Sequence, residues 1–279
     1  MKRGCGMRGK GWLAVLVFFF AGACFASGAD PQLSFVRAGG AGKTLSLSQM
    51  KAGVPVSELA FFDPEYGKPK RYRGFALARV LELAFGPGWQ GNDYTEMIFS
   101  ALDGYASVST LEKLGEPGGY IVFEDMDHPG WEPVGRNQAN PGPFYLVWAN
   151  PAQSTAHGYP WPWQLARVEL VRFQDRYPEV YPKGVASASA VHAGFLTFKA
   201  RCMRCHAMNQ QGGKVGPDLN APQSVTEYRS PEMLKAFIRQ PSQFRYTHMP
   251  DHTDLTDADL DNLLDYLRHM ANQRRQAIR

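Results

Sequence analysis

Cys202-Met203-Arg204-Cys205-His206 stands in the last third of a 279-residue chain. Two thiols three residues apart, followed at once by an imidazole, form C-x-x-C-H, the attachment signature for c-type haem. One helical turn separates the thiols, so both reach the vinyl groups on one edge of a porphyrin. The histidine is then carried beneath the iron. A zinc site needs two further nearby ligands, and no second C-x-x-C exists. A dithiol redox site belongs between a strand and a helix in a βαβ pattern, whereas this motif follows a helical stretch.

Outward from the motif, the pattern is helical. Val191, Phe195, Leu196 and Phe198 recur at helical spacing over 191–200. Ser230-Pro231-Glu232 reads as an N-cap with proline in the first turn, and Pro241 ends that helix. Thr256 caps a last helix with Asp259 three residues on, and Leu260, Leu263, Leu264, Leu267 and Met270 share one face. Tyr246-Thr247-His248-Met249-Pro250 holds two candidates for the sixth iron ligand. Met249 is a soft thioether that favours ferrous iron and raises the potential. His248 is its rival and would lower it. Met203 and Met208 lie too near the attachment site to reach the far face of the ring.

These features, taken in order, resemble a class I c-type cytochrome. Gly194 and Phe198 stand in the first helix, Gly216-Pro217-Asp218-Leu219 matches the loop after the haem motif, and Met249-Pro250 matches the ligand loop. Leu264, Tyr266-Leu267 and Met270 match the last helix. The resemblance implies an all-α cytochrome c fold over 191–279 and one covalent haem. It also implies His206 and Met249 as iron ligands, a Pro217 carbonyl that orients His206, and a Gly194 that lets the first and last helices cross closely.

The N-terminus carries the export reading. Lys2, Arg3, Arg8 and Lys10 precede an apolar run that begins at Trp12 and fades into small residues, which describes a signal peptide over 1–29. Gly11–Ala26 is shorter than the roughly 18 to 20 residues of a comfortable bilayer span. The formal charge of +4 comes wholly from this segment, so the remainder is formally neutral and calls for no nucleic acid. Cys5 and Cys24 lie there too, which leaves Cys202 and Cys205 for haem and none for a disulfide.

Residues 30–175 are rich in aromatics, glycine and proline, and read as a sheet-centred α+β domain. Strands are expected at Thr44–Ser48, Met97–Leu102, Tyr120–Glu124, Phe144–Trp148 and Ala166–Phe173, the last with one face partly wet. A helix is expected at Phe75–Phe85. Asp103, Glu124, Asp125, Asp127 and His128 read as solvated loop residues, and Lys68, Lys70, Arg71 and Arg73 as a solvated basic face. Trp131, Trp148, Trp161 and Trp163 read as packing. Residues 176–190, with two prolines and a glycine, read as an extended linker.

The stretch from Tyr72 to Phe173 resembles the molybdopterin-binding domain of sulfite oxidase-like enzymes. Tyr72-Arg73-Gly74-Phe75, Asp103-Gly104-Tyr105, Gly142-Pro143-Phe144 and Trp161-Pro162-Trp163 carry the resemblance. That family binds molybdenum through a cysteine, and residues 30–201 contain none. The expectation is therefore an exported, periplasmic monohaem cytochrome that carries single electrons and is not itself an enzyme. Its front domain docks on a redox partner, such as a molybdenum dehydrogenase or another c-type cytochrome. A catalytic front domain in a sulfite dehydrogenase-like system and a haem-based sensor are the competing readings.

Overall fold

The computed structural model of the chain describes residues 29–91, 94–135 and 137–274. The leader expected over 1–29 lies, apart from Ala29, outside the described residues.

The front region opens with β1 (Gln32–Arg37), β2 (Gly42–Ser46) and α1 (Leu47–Gly53), followed by β3 (Ser57–Asp63), β4 (Lys68–Ala76) and α2 (Leu77–Phe85). Next come β5 (Glu96–Ala101), β6 (Ala106–Thr110), α3 (Leu111–Leu114), β7 (Gly119–Asp125), β8 (Tyr145–Trp148), β9 (Leu165–Val171) and α4 (Phe173–Arg176). They form two sheets, ordered β2-β1-β9-β5-β6 and β3-β4-β7-β8. Only the β1–β9 pairing is parallel. Between the sheets lies one core, built from Leu33, Phe35, Met97, Phe99, Val168 and Leu170 on one side and Tyr72, Phe75, Ile121, Val122, Leu146 and Val147 on the other. Leu77, Val80 and Leu81 of α2 join it. The region is sheet-rich, as expected, and α2 begins two residues after the expected start because Phe75 and Ala76 still pair with β7.

Strand alternation decides what the five-stranded sheet does with its second face. Met97 and Phe99 point into the core between the sheets, so Ile98 and Glu96 point the other way. On that side Ile98, Ala106 and Val171 pack with Phe195, Phe198, Leu263, Tyr266 and Leu267 of the C-terminal region. The face of β9 expected to be partly wet is therefore covered: Glu169 is buried and bonds Arg176 Nε at 3.2 Å.

The C-terminal region is helical. It runs through α5 (Ala190–Thr197), a π-helical turn (Phe198–Cys202), β10 (Ala207–Met208), β11 (Gln211–Gly212), α6 (Val225–Tyr228), α7 (Pro231–Arg239) and α8 (Asp257–Asn272). Ser189, Ser230 and Thr256 cap α5, α7 and α8, the last with the full capping box. Gly194 is the crossing point of α5 and α8: a Cβ there would lie 1.9 Å from Asn262 O.

Three sequence expectations need correction. Residues 176–190 lack regular structure, as their prolines require, but do not form a free linker. Tyr177 and Val180 are buried in the helical core, Tyr266 Oη donates to Val180 O at 2.8 Å, and Asn209 Nδ2 to Glu179 O at 3.0 Å. Lys70 is no part of a solvated face, being 1% exposed, with Nζ 2.6 Å from Asp125 and 3.0 Å from Glu132. Asp125, likewise, is buried rather than a wet loop residue. The reason is again alternation, since β4 turns Lys70 and Tyr72 to the same inner side and Arg71 outward. Trp148 and Trp161 are buried, and Trp131 and Trp163 pack against the same core.

Candidate haem-attachment site

The π-helical turn that extends α5 ends at Cys202, and its backbone then folds back on itself. Met203 N donates to Phe198 O at 2.9 Å, while Cys205 N and His206 N both donate to Cys202 O, at 3.1 and 2.9 Å. The motif is thus a closed turn that holds two thiols and an imidazole in fixed relation. Neither thiol is in a disulfide. Burial pushes Cys202 up to about 12 and raises Cys205, with the Arg204 guanidinium opposing in both cases. A dithiol redox centre needs the reverse, a thiol lowered toward the thiolate.

His206 lies between the motif and the Gly216-Pro217 loop. Gly216 N donates to Cys205 O at 2.7 Å, and a Cβ on Gly216 would sit 2.6 Å from His206 Cε1, so only glycine lets the loop lie against the ring. Burial lowers the His206 pKa, against the hydrogen bond to Pro217. The imidazole is therefore neutral near pH 7. Its Nδ1 lies 2.8 Å from Pro217 O, an acceptor only, so Nδ1 carries the proton and Nε2 keeps a lone pair. A histidine held in this tautomer by a carbonyl is ready to ligate a metal.

The Met249 loop is tied down at its far end. Arg201, on the π-helical turn, makes a two-pronged bond to Asp254 at 2.8 and 2.9 Å. His252 is buried, donates its backbone N–H to Arg239 O at 2.9 Å, and is lowered to about 4 by burial and by Arg201 and Arg204. Met249 is half-buried, with its N–H on Thr247 Oγ1 at 3.1 Å. His248 is exposed and stands edge-on to Tyr246, 5.7 Å between centroids. Val215, Phe244 and Tyr246, from the His206 and Met249 loops, leave large apolar surface uncovered, which suits a flat apolar macrocycle. Soft sulfur, neutral imidazole, paired free thiols and open apolar surface together fit a covalently held haem.

Residues 189–267 match the family model described as cytochrome C oxidase, cbb3-type, subunit III. This marks a c-type cytochrome domain. Such a domain carries covalently bound haem iron and transfers electrons to or from a redox partner. The match ends where the front region begins, and no curated protein matches the chain. Among the described residues, no helix is long and apolar enough to cross a membrane.

Reading along the sequence misses what the front region adds to this site. Ala106 N donates to Arg204 O at 3.0 Å and Lys214 N to Gly104 O at 3.1 Å, so the β5–β6 turn lies across the attachment motif. Lys199 Nζ reaches Glu96 at 2.9 Å alongside. Asp103-Gly104 signals a turn, but nothing local says what that turn touches. His252 and the Arg201–Asp254 bond are missed for the same reason.

Proposed function

We propose that the chain is an exported monohaem electron-transfer protein, its haem held by thioethers to Cys202 and Cys205 and its iron by His206 and Met249. The observation that carries this reading is the His206 Nδ1–Pro217 O hydrogen bond at the end of the C-x-x-C-H turn, which leaves Nε2 free. Bound there, a c-type haem supplies a one-electron ferric/ferrous couple. Pro217 fixes the tautomer and orientation of His206. Met249, turned further from solvent than His248, offers the soft thioether that favours the ferrous state. The periplasm is the proposed location, by way of the N-terminal leader.

The front region serves as the docking element for the redox partner in this reading. Residues 30–201 offer no thiolate for molybdenum. Replacing Cys202 and Cys205 together with alanine abolishes haem-dependent peroxidase staining in a denaturing gel, and retained stain would refute the assignment. Met249→Leu removes the weak methionine band at the red edge of the visible spectrum, whereas His248→Leu leaves it. Metal analysis of the same wild-type preparation reads iron without molybdenum; stoichiometric molybdenum would replace the docking role with a catalytic one.

A further inference from the structure

The attachment edge of the haem motif is not open to solvent on all sides, because the front region closes over it. The Ala106–Arg204 and Lys214–Gly104 backbone bonds pin the β5–β6 turn there. Gly104, at φ +92, fits so closely that an added Cβ would lie 3.2 Å from Lys214 Cβ. This turn brings Asp103 within electrostatic reach of the Cys205 thiol, and Tyr105 within reach of both Cys205 and Arg204. A second turn, between β3 and β4, brings Glu65 to the same Arg204 and the same Tyr105. Its backbone is fixed by Glu65 N donating to Asp63 Oδ1 at 2.9 Å. Among the described residues Arg204 forms no ion pair, and its Nε is buried without a partner.

We infer that the front region is a working part of the haem site, with Glu65 and Asp103 holding negative charge against the attachment edge and thereby favouring the ferric state. The inference rests on the haem reading above and adds to it a set of positioning residues more than 90 positions upstream. Reduction adds one electron, supplied by the redox partner, and removes one positive charge from the iron without breaking a bond. Carboxylates close by stabilise the oxidised form more than the reduced form. Arg204 opposes them, so removing a carboxylate leaves its charge uncompensated and acts in the same direction. The groups that face Glu65 are Asp63 from β3, Tyr105 from the β5–β6 turn, Tyr145 from β8 and Arg204 from the motif. Burial, with Asp63 adding to it and Arg204 opposing, pushes Glu65 up to about 7. Its charge is therefore present above neutrality and absent in mild acid.

The experiment is spectroelectrochemical titration of the full haem-loaded chain at pH 5.5 and pH 8. Glu65→Gln raises the midpoint potential at pH 8 by about a tenfold change in the redox equilibrium, 59 mV for one electron, and matches wild type at pH 5.5. Asp103→Asn raises it at both pH values. Glu58→Gln, an exposed carboxylate on β3 paired with Arg73, changes nothing. Equal potentials for wild type, Glu65→Gln and Asp103→Asn at pH 8 would overturn the inference while leaving the haem assignment intact. A wild-type chain without stainable covalent haem would instead remove the assignment on which it stands.

Discussion

Gly194→Ala sets two physical effects against each other. On helix propensity alone, alanine in the middle of α5 is worth roughly 1 kcal/mol over glycine. The tertiary contact points the other way. An alanine Cβ would lie 1.9 Å from Asn262 O, 2.5 Å from its carbonyl carbon and 2.9 Å from Leu263 N, all backbone atoms of α8. Reaching ordinary van der Waals contact needs a retreat of about 1.5 Å, and no side chain can rotate away to supply it. A gap of that size along the crossing costs Phe195 and Phe198 their packing on Tyr266, now at centroid separations of 5.9 and 5.2 Å. Overpacking of this kind costs about 3 kcal/mol, the upper part of its usual range. The net loss is then about 2 kcal/mol, which lowers Tm by roughly 4–8 °C for a domain of this size. Thermal unfolding of the haem-loaded protein, followed by far-UV circular dichroism, measures it. Gly53→Ala is the control, because its Cβ meets only the movable end of Leu83. A Gly194→Ala protein with a Tm equal to or above wild type would refute the argument that backbone contact outweighs propensity here.

Two further outcomes follow from the ion pairs. Lys70→Met leaves Asp125 buried without its cation and costs about 3–5 kcal/mol in chemical denaturation. Adding Asp125→Leu recovers part of that loss, and a single variant as stable as wild type would show the pair to be energetically idle. Arg201 holds the Asp254 carboxyl below its usual range, so the stability it contributes is present above the unfolded value near 3.9 and lost as pH falls through the lower folded value. Asp254→Asn therefore costs no more than about 1 kcal/mol at pH 7, given its half-exposed side chain. The variant's disadvantage disappears below that window, which denaturation curves at pH 7 and pH 3 would show.

What could be read along the chain was what neighbouring residues settle among themselves. The thiols and imidazole of 202–206 act within one turn, and the caps at Ser230 and Thr256 need only the next three residues. The expected strands and helices match described elements to within a few residues, because period-2 and helical patterns are local. β1, β3, β4, β6 and α1 were not expected, since their mixed polar sequences become strand or helix only against the neighbours that cover them. Lys70 is instructive. Its charge argues for solvent, yet the alternation of β4 turns it inward with Tyr72, and Asp125 and Glu132 come from 55 and 62 residues away to meet it.

The sequence by itself therefore determined the chemistry of the centre: two thiols and a histidine at a spacing that suits haem, and a thioether further on to complete it. Only the tertiary structure decided the surroundings of that centre. The second face of the five-stranded sheet packs on the helical core, the segment after α4 lies against α8, and Glu65, Asp103 and Tyr105 close on the attachment turn. The physical reason is range. Covalent spacing and backbone hydrogen bonding act over a few residues, whereas burial and electrostatic reach act through space, between residues that the chain keeps about 100 positions apart.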